Sequence, residues 1–112
     1  MEHERRRAPR FPFIAAAEIL GDESGRLISN TRISDLSLSG CYVDTISPLP
    51  HGTEVRVKIF TETQSFEAPA TVAYSHLHLG MGLAFGEVKP NSLDVLQNWL
   101  PAERPGAQVR QG

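Results

Sequence analysis

Within Thr53-Glu54-Val55-Arg56-Val57-Lys58-Ile59-Phe60, the charged residues Glu54, Arg56 and Lys58 alternate with the apolar Val55, Val57 and Ile59. Successive side chains of an extended chain point to opposite faces, so Val55, Val57 and Ile59 share one face and Glu54, Arg56 and Lys58 the other. One buried and one solvated face is the pattern of an antiparallel strand with water on one side. This stretch sets the period against which the rest of the chain is read.

On its C-terminal side, Thr61–Ser65 is a polar turn and Phe66–Leu77 a second long strand, with Pro69 marking an edge or a bulge near its start. Leu79–Phe85 is the last strand, and its glycines let a barrel bend sharply. On the N-terminal side, Ile46–Gly52 holds Pro48, Pro50 and Gly52 and reads as a long turn, preceded by a short strand, Cys41-Tyr42-Val43. Arg26–Asp35 is strand-like with imperfect alternation. Phe13–Leu20 is ambiguous: its three alanines favour helix, but the run is short and Gly21-Asp22-Glu23-Ser24-Gly25 is a turn cluster followed by another strand, so a hairpin is expected. After Phe85 the period changes. Leu93, Leu96, Trp99 and Leu100 recur at three- and four-residue spacing, an amphipathic helix with Asn91 or Ser92 as N-cap, Asp94 in the first turn and Pro101 as its stop. The expected fold is mainly β: a small closed antiparallel six-stranded β-barrel with a C-terminal α-helix. The helix is expected to cap one end of the barrel, a partner-binding helix being the alternative.

The chain has 112 residues, enough for one domain with a modest core. With 40% apolar and 21% charged residues, wholesale disorder is excluded, and a net charge of −2 argues against a dedicated non-specific nucleic-acid binder. A small-barrel nucleic-acid binder would also need aromatic rings exposed on a strand face. Phe60, Phe66, Tyr74 and Phe85 fall mostly on expected core positions. The single cysteine, Cys41, forbids an internal disulfide, suits a reducing cytoplasm and reads as a small buried strand residue. No apolar run approaches the ~18 residues of a membrane helix, and Phe11–Ala17 does not read as a signal peptide. His76 and His78 share one face of a strand but lack further ligands at metal-binding spacing, so no metal is expected. Ser37 and Ser39 lack the base and oxyanion hole a nucleophile needs, and no catalytic constellation is found, so the chain is not read as an enzyme.

Positive charge is concentrated instead. Arg5-Arg6-Arg7-Ala8-Pro9-Arg10 holds four of the eleven Lys and Arg residues. Pro9 pushes Ala8 away from helical backbone, so the stretch is an extended tether. Its guanidinium forks match phosphate or the O6/N7 edge of guanine. A second polar stretch, Asp35-Leu36-Ser37-Leu38-Ser39-Gly40, offers a carboxylate for a guanine N1–H/N2–H edge or for an arginine, a hydroxyl for phosphate, and a glycine that allows positive φ and close approach of a ligand. Each stretch alone also reads blandly, as a solvated basic tail and as an ordinary turn in which Asp and Ser bond their own backbone.

The pair is more specific. Arg6-x-x-x-Arg10 followed by Asp35-x-Ser37-x-x-Gly40, with Gly80-Met81-Gly82-Leu83-Ala84-Phe85 near the end, resembles the PilZ domain family over about residues 5–100. The resemblance implies a small β-barrel that binds the bacterial second messenger cyclic di-GMP through Arg5, Arg6, Arg10, Asp35, Ser37 and Gly40. It implies an arginine tether (1–10) that orders over the ligand, a barrel with its helix (11–100), and a polar tail (101–112) read as disordered. Arg5, just before the first motif arginine, points to a stacked pair of ligands. The expected role is a cytoplasmic receptor signalling through a partner protein, with no cofactor. The alternative is a PilZ-like interaction module that does not bind the nucleotide.

Overall fold

The computed structural model describes residues 9–101. Most of the 1–10 tether and the 102–112 part of the tail therefore lie outside the described residues. Six strands come in order: β1 (Phe11–Gly21), β2 (Leu27–Leu36), β3 (Gly40–Asp44), β4 (Glu54–Phe60), β5 (Ser65–His76) and β6 (Gly80–Phe85). One helix, α1 (Pro90–Trp99), completes the fold. All strand pairs are antiparallel, and the order β1-β2-β3-β6-β5-β4 closes on itself through β1 and β4. Closure leaves no sheet edge to be managed.

The alternation of β4 holds to its end: Val55, Val57 and Ile59 are fully buried, and outside them Arg56 pairs with Glu67 of β5 at 3.0 Å. The three alanines of β1 are strand residues. Ala15 and Ala17 point inward with Ile19, beside the bulkier Ile33, Phe66 and Val72. In β2 the outer half is exposed: Leu27 and Ile28 lie in solvent while Ile33 and Leu36 join the core. Pro69 sits where β5 runs past the end of β6, whose last paired residue is Phe85 opposite Ala70, so its missing N–H costs no rung there. The bulge in β5 comes later, between Val72 and Tyr74.

The helix enters the core through Leu96, and Trp99 stacks on Phe13 with ring centroids 5.2 Å apart. Its start corrects the sequence reading. Lys89 is the N-cap, with Pro90 in the first turn and no side-chain cap. Proline there needs no N–H partner, so the helix begins before Asn91 and Ser92. The Ser92 hydroxyl instead accepts from the Glu67 amide at 3.4 Å, and Asp94 falls beyond the first turn. The histidines are also corrected: His76 ends β5, whereas His78 lies in the next turn at φ 67°.

Candidate functional site

Two bulges build the site. Strict alternation from Ile33 would point Asp35 inward, and alternation from Val72 would do the same to Tyr74. A register shift between Ile33 and Asp35 in β2–β3, and another between Val72 and Tyr74 in β5–β6, each insert one residue. An extra residue turns the side chains after it to the other face. Asp35 and Tyr74 therefore both face out, in one row that crosses the sheet: Pro12 opposite Asp35, Asp35 opposite Tyr42, Tyr42 opposite Gly82, Gly82 opposite Tyr74.

Arg10, one residue before β1, reaches along this row. Nη1 and Nη2 both donate to the Tyr74 phenol oxygen, at 3.1 and 2.7 Å. Nε faces Asp35 Oδ1 at 3.8 Å, an ion-pair separation beyond hydrogen-bonding distance. That Oδ1 is buried and has no hydrogen-bond partner among the described residues.

Ser37 lies past the end of β2, buried, with its hydroxyl turned into the loop. Its Oγ accepts from the amides of Ser39 and Gly40, both at 3.1 Å, while its own amide donates to the Gly40 carbonyl at 2.8 Å. The self-bonded turn considered from sequence is thus what Ser37 forms, and it presents the loop toward β6, where Phe85 N donates to Ser39 O at 2.9 Å. Gly40 does not adopt positive φ. It must be glycine because a Cβ would collide with the Leu83 carbonyl oxygen of the neighbouring strand. Beside this loop an open cavity of about 400 Å³ is lined by Arg10, Ser37, Ser39, Gly40, Tyr74 and Gly82, with Ala73, Leu83 and Ala84. The structure thus brings Arg10, Ser37 and Gly40 to one cavity and sets Asp35 behind the Arg10 Nε. Arg5 and Arg6 lie outside the described residues.

The PilZ domain family model matches residues 4–101. The chain belongs to the PilZ domain family. No curated protein matches it. Among solved structures it is similar to the Bacillus subtilis inhibitor of motility MotI/DgrA, with a TM-score of 0.67 and 21% identity over 85% of this chain. The alignment spans 48% of that protein, about half its length. It is also similar to the PilZ domain of CeSA from a cellulose-synthesizing bacterium, with a TM-score of 0.61 and 15% identity over 81% of this chain and 93% of that domain. These likenesses bear on the fold, and they agree with the six-stranded closed barrel and its helix.

The sequence reading of this PilZ domain missed Tyr74 and Tyr42. Spacing alone places Tyr74 in the core, and the bulge before it turns it out. Tyr42 packs at 6.2 Å from Tyr74 and shares a 3.0 Å hydrogen bond with His76 Nδ1. Desolvation, with Tyr74, Asp44 and Asp35 close by, pushes the Tyr42 phenol up, against the opposing pull of Arg10. Directly behind the site, Cys41 is fully buried; desolvation first, and Asp35 second, push its thiol well above the ordinary range. A thiol held protonated is a poor nucleophile and metal ligand. Among the described residues no cluster of three His, Cys, Asp or Glu is placed to hold a metal, and no helix is long and apolar enough to cross a membrane.

Proposed function

We propose that this PilZ domain is a receptor for cyclic di-GMP, binding it in the outer groove between Arg10, the Ser37–Gly40 loop and Tyr74, and signalling through a partner protein. The observation that supports this most is Asp35 Oδ1, which faces the Arg10 Nε at ion-pair distance and has no hydrogen-bond partner among the described residues. A buried acceptor without a donor is expensive unless something completes it. Guanine presents both complements on one molecule: N1–H and N2–H donors for a carboxylate, and O6 and N7 acceptors for a guanidinium. The cavity of about 400 Å³ lies in the size range of small-molecule sites.

In this reading Arg5 and Arg6 close over the ligand from the segment before Arg10. Ordering that segment on binding creates a surface a partner can recognise. Arg5 favours a stacked pair of ligands. Ser37 supports the site by shaping the loop, and Gly40 keeps the loop close to β6.

The test is titration calorimetry with cyclic di-GMP and, separately, cyclic di-AMP. Adenine replaces the O6 acceptor with an N6 donor, so a guanine-reading site should prefer cyclic di-GMP by at least a hundredfold. Equal affinity for both would refute guanine readout. No heat with either would leave the domain as a protein-interaction module.

A further inference from the structure

The Gly80-Met81-Gly82 stretch of β6 has a use beyond bending a barrel. Both glycines point outward, and a Cβ at Gly82 would collide with the phenol end of the Tyr74 ring, while one at Gly80 would meet the Tyr42 ring and the Val43 carbonyl. The two tyrosines, from the strands on either side, lean across β6 onto bare backbone. Their edges meet each other and His76, at centroid separations of 6.2, 5.9 and 5.2 Å. The result is a shelf that fixes where the Tyr74 phenol sits. That phenol accepts from both terminal nitrogens of Arg10 at once.

We infer that Tyr74 is a positioning residue that pre-sets Arg10 for the ligand, on a shelf that Gly82 makes room for. The inference rests on the receptor reading above. A guanidinium has five N–H donors. Tyr74 takes one from each terminal nitrogen, on the end of the fork. Among the described residues the Nε–H, whose nitrogen lies 3.8 Å from Asp35 Oδ1, and the outer hydrogens make no hydrogen bond, which leaves them to a ligand. An arginine side chain loses considerable rotamer freedom when it is fixed. Anchoring it on Tyr74 before binding removes that loss from the binding step. The site residues on β2 and before β1 are in this way tied to β5 through one phenol oxygen.

Tyr74→Phe keeps the ring on Gly82 and deletes only the acceptor. Cyclic di-GMP titrations of the wild type, Tyr74→Phe, Arg10→Ala and the double variant give the coupling, and the Arg10 Nε–H resonance of each ligand-free protein reports whether the guanidinium is held. Tyr74→Phe should weaken binding about tenfold. The double variant should bind no more weakly than Arg10→Ala alone. The ligand-free Tyr74→Phe protein should lose the ordered Nε–H signal with its melting temperature little changed. Unchanged or tighter binding by Tyr74→Phe, full additivity, or an unchanged Nε–H signal would each overturn the inference. Failure of the wild type to bind cyclic di-GMP would sink the receptor reading instead, and the Nε–H comparison would still decide whether Tyr74 holds Arg10.

Discussion

Gly40→Ala isolates what the last residue of the Asp35–Gly40 stretch is for. A methyl there collides with the Leu83 carbonyl oxygen and comes within 3.1 Å of the Leu83 carbonyl carbon and 3.4 Å of the Ala84 Cα. All three are backbone atoms, so no side chain can swing aside. Strand β3 must move off β6 at the Gly40–Ala84 pair, and the Ser37 turn, which bonds to both the amide and the carbonyl of Gly40, moves with it. Overpacking of this kind costs about 1–3 kcal/mol, and each hydrogen bond lost adds about 1 kcal/mol. With one or two bonds lost, the expected destabilisation is about 2–5 kcal/mol, a large part of the ~5–15 kcal/mol that holds a domain folded. Urea unfolding monitored by circular dichroism measures it. With a slope of about 2 kcal/mol per molar, the midpoint should fall by roughly 1–2.5 M. A midpoint within about 0.3 M of the wild type, without ligand, would refute the steric argument and return Gly40 to the role of admitting a ligand.

The same neighbourhood yields two further expected outcomes. Ser37→Ala strips the shared acceptor from the Ser39 and Gly40 amides, so it should destabilise the domain by about 1–3 kcal/mol in the same urea assay and weaken cyclic di-GMP binding by disordering the loop. Cys41 stays protonated in the folded barrel at a pH where the unfolded chain, at its ordinary value of 9.0, ionises. Its contribution is therefore fully present below about pH 9 and is lost as pH rises above that; a plot of stability against pH should slope downward there, and Cys41→Ala should flatten the first part of the slope.

The fold is legible in the sequence because its strands carry their period openly. Val55, Val57 and Ile59 declare one face of β4, and Leu93, Leu96 and Trp99 declare the stripe of α1. The alanines of β1 are readable only through the turn cluster after them, since small side chains suit an inward face without advertising it. The helix start is misplaced by a search for a polar N-cap, because Pro90 removes the need for one. The site is legible as composition but not as geometry. Arg10, Asp35, Ser37 and Gly40 stand out in the sequence, yet which way Asp35 faces depends on a bulge that leaves no mark in a ten-residue strand. Tyr74 is hidden for the same reason. A signal does exist: Gly80 and Gly82 at alternate positions of a strand reserve space for large rings from neighbours, and Tyr42 and Tyr74 are the tyrosines available to fill it.

The most direct test of the account is titration calorimetry of the wild-type protein and of Arg10→Ala with cyclic di-GMP. Removing the guanidinium leaves desolvated ligand acceptors and Asp35 unpaired, a loss of about 1.5–3 kcal/mol, or roughly ten- to hundredfold in affinity. The account predicts saturable binding by the wild type, two ligands per protein, and at least a tenfold loss in Arg10→Ala. Saturable binding that Arg10→Ala leaves unchanged, or no heat at high-micromolar ligand, would contradict it.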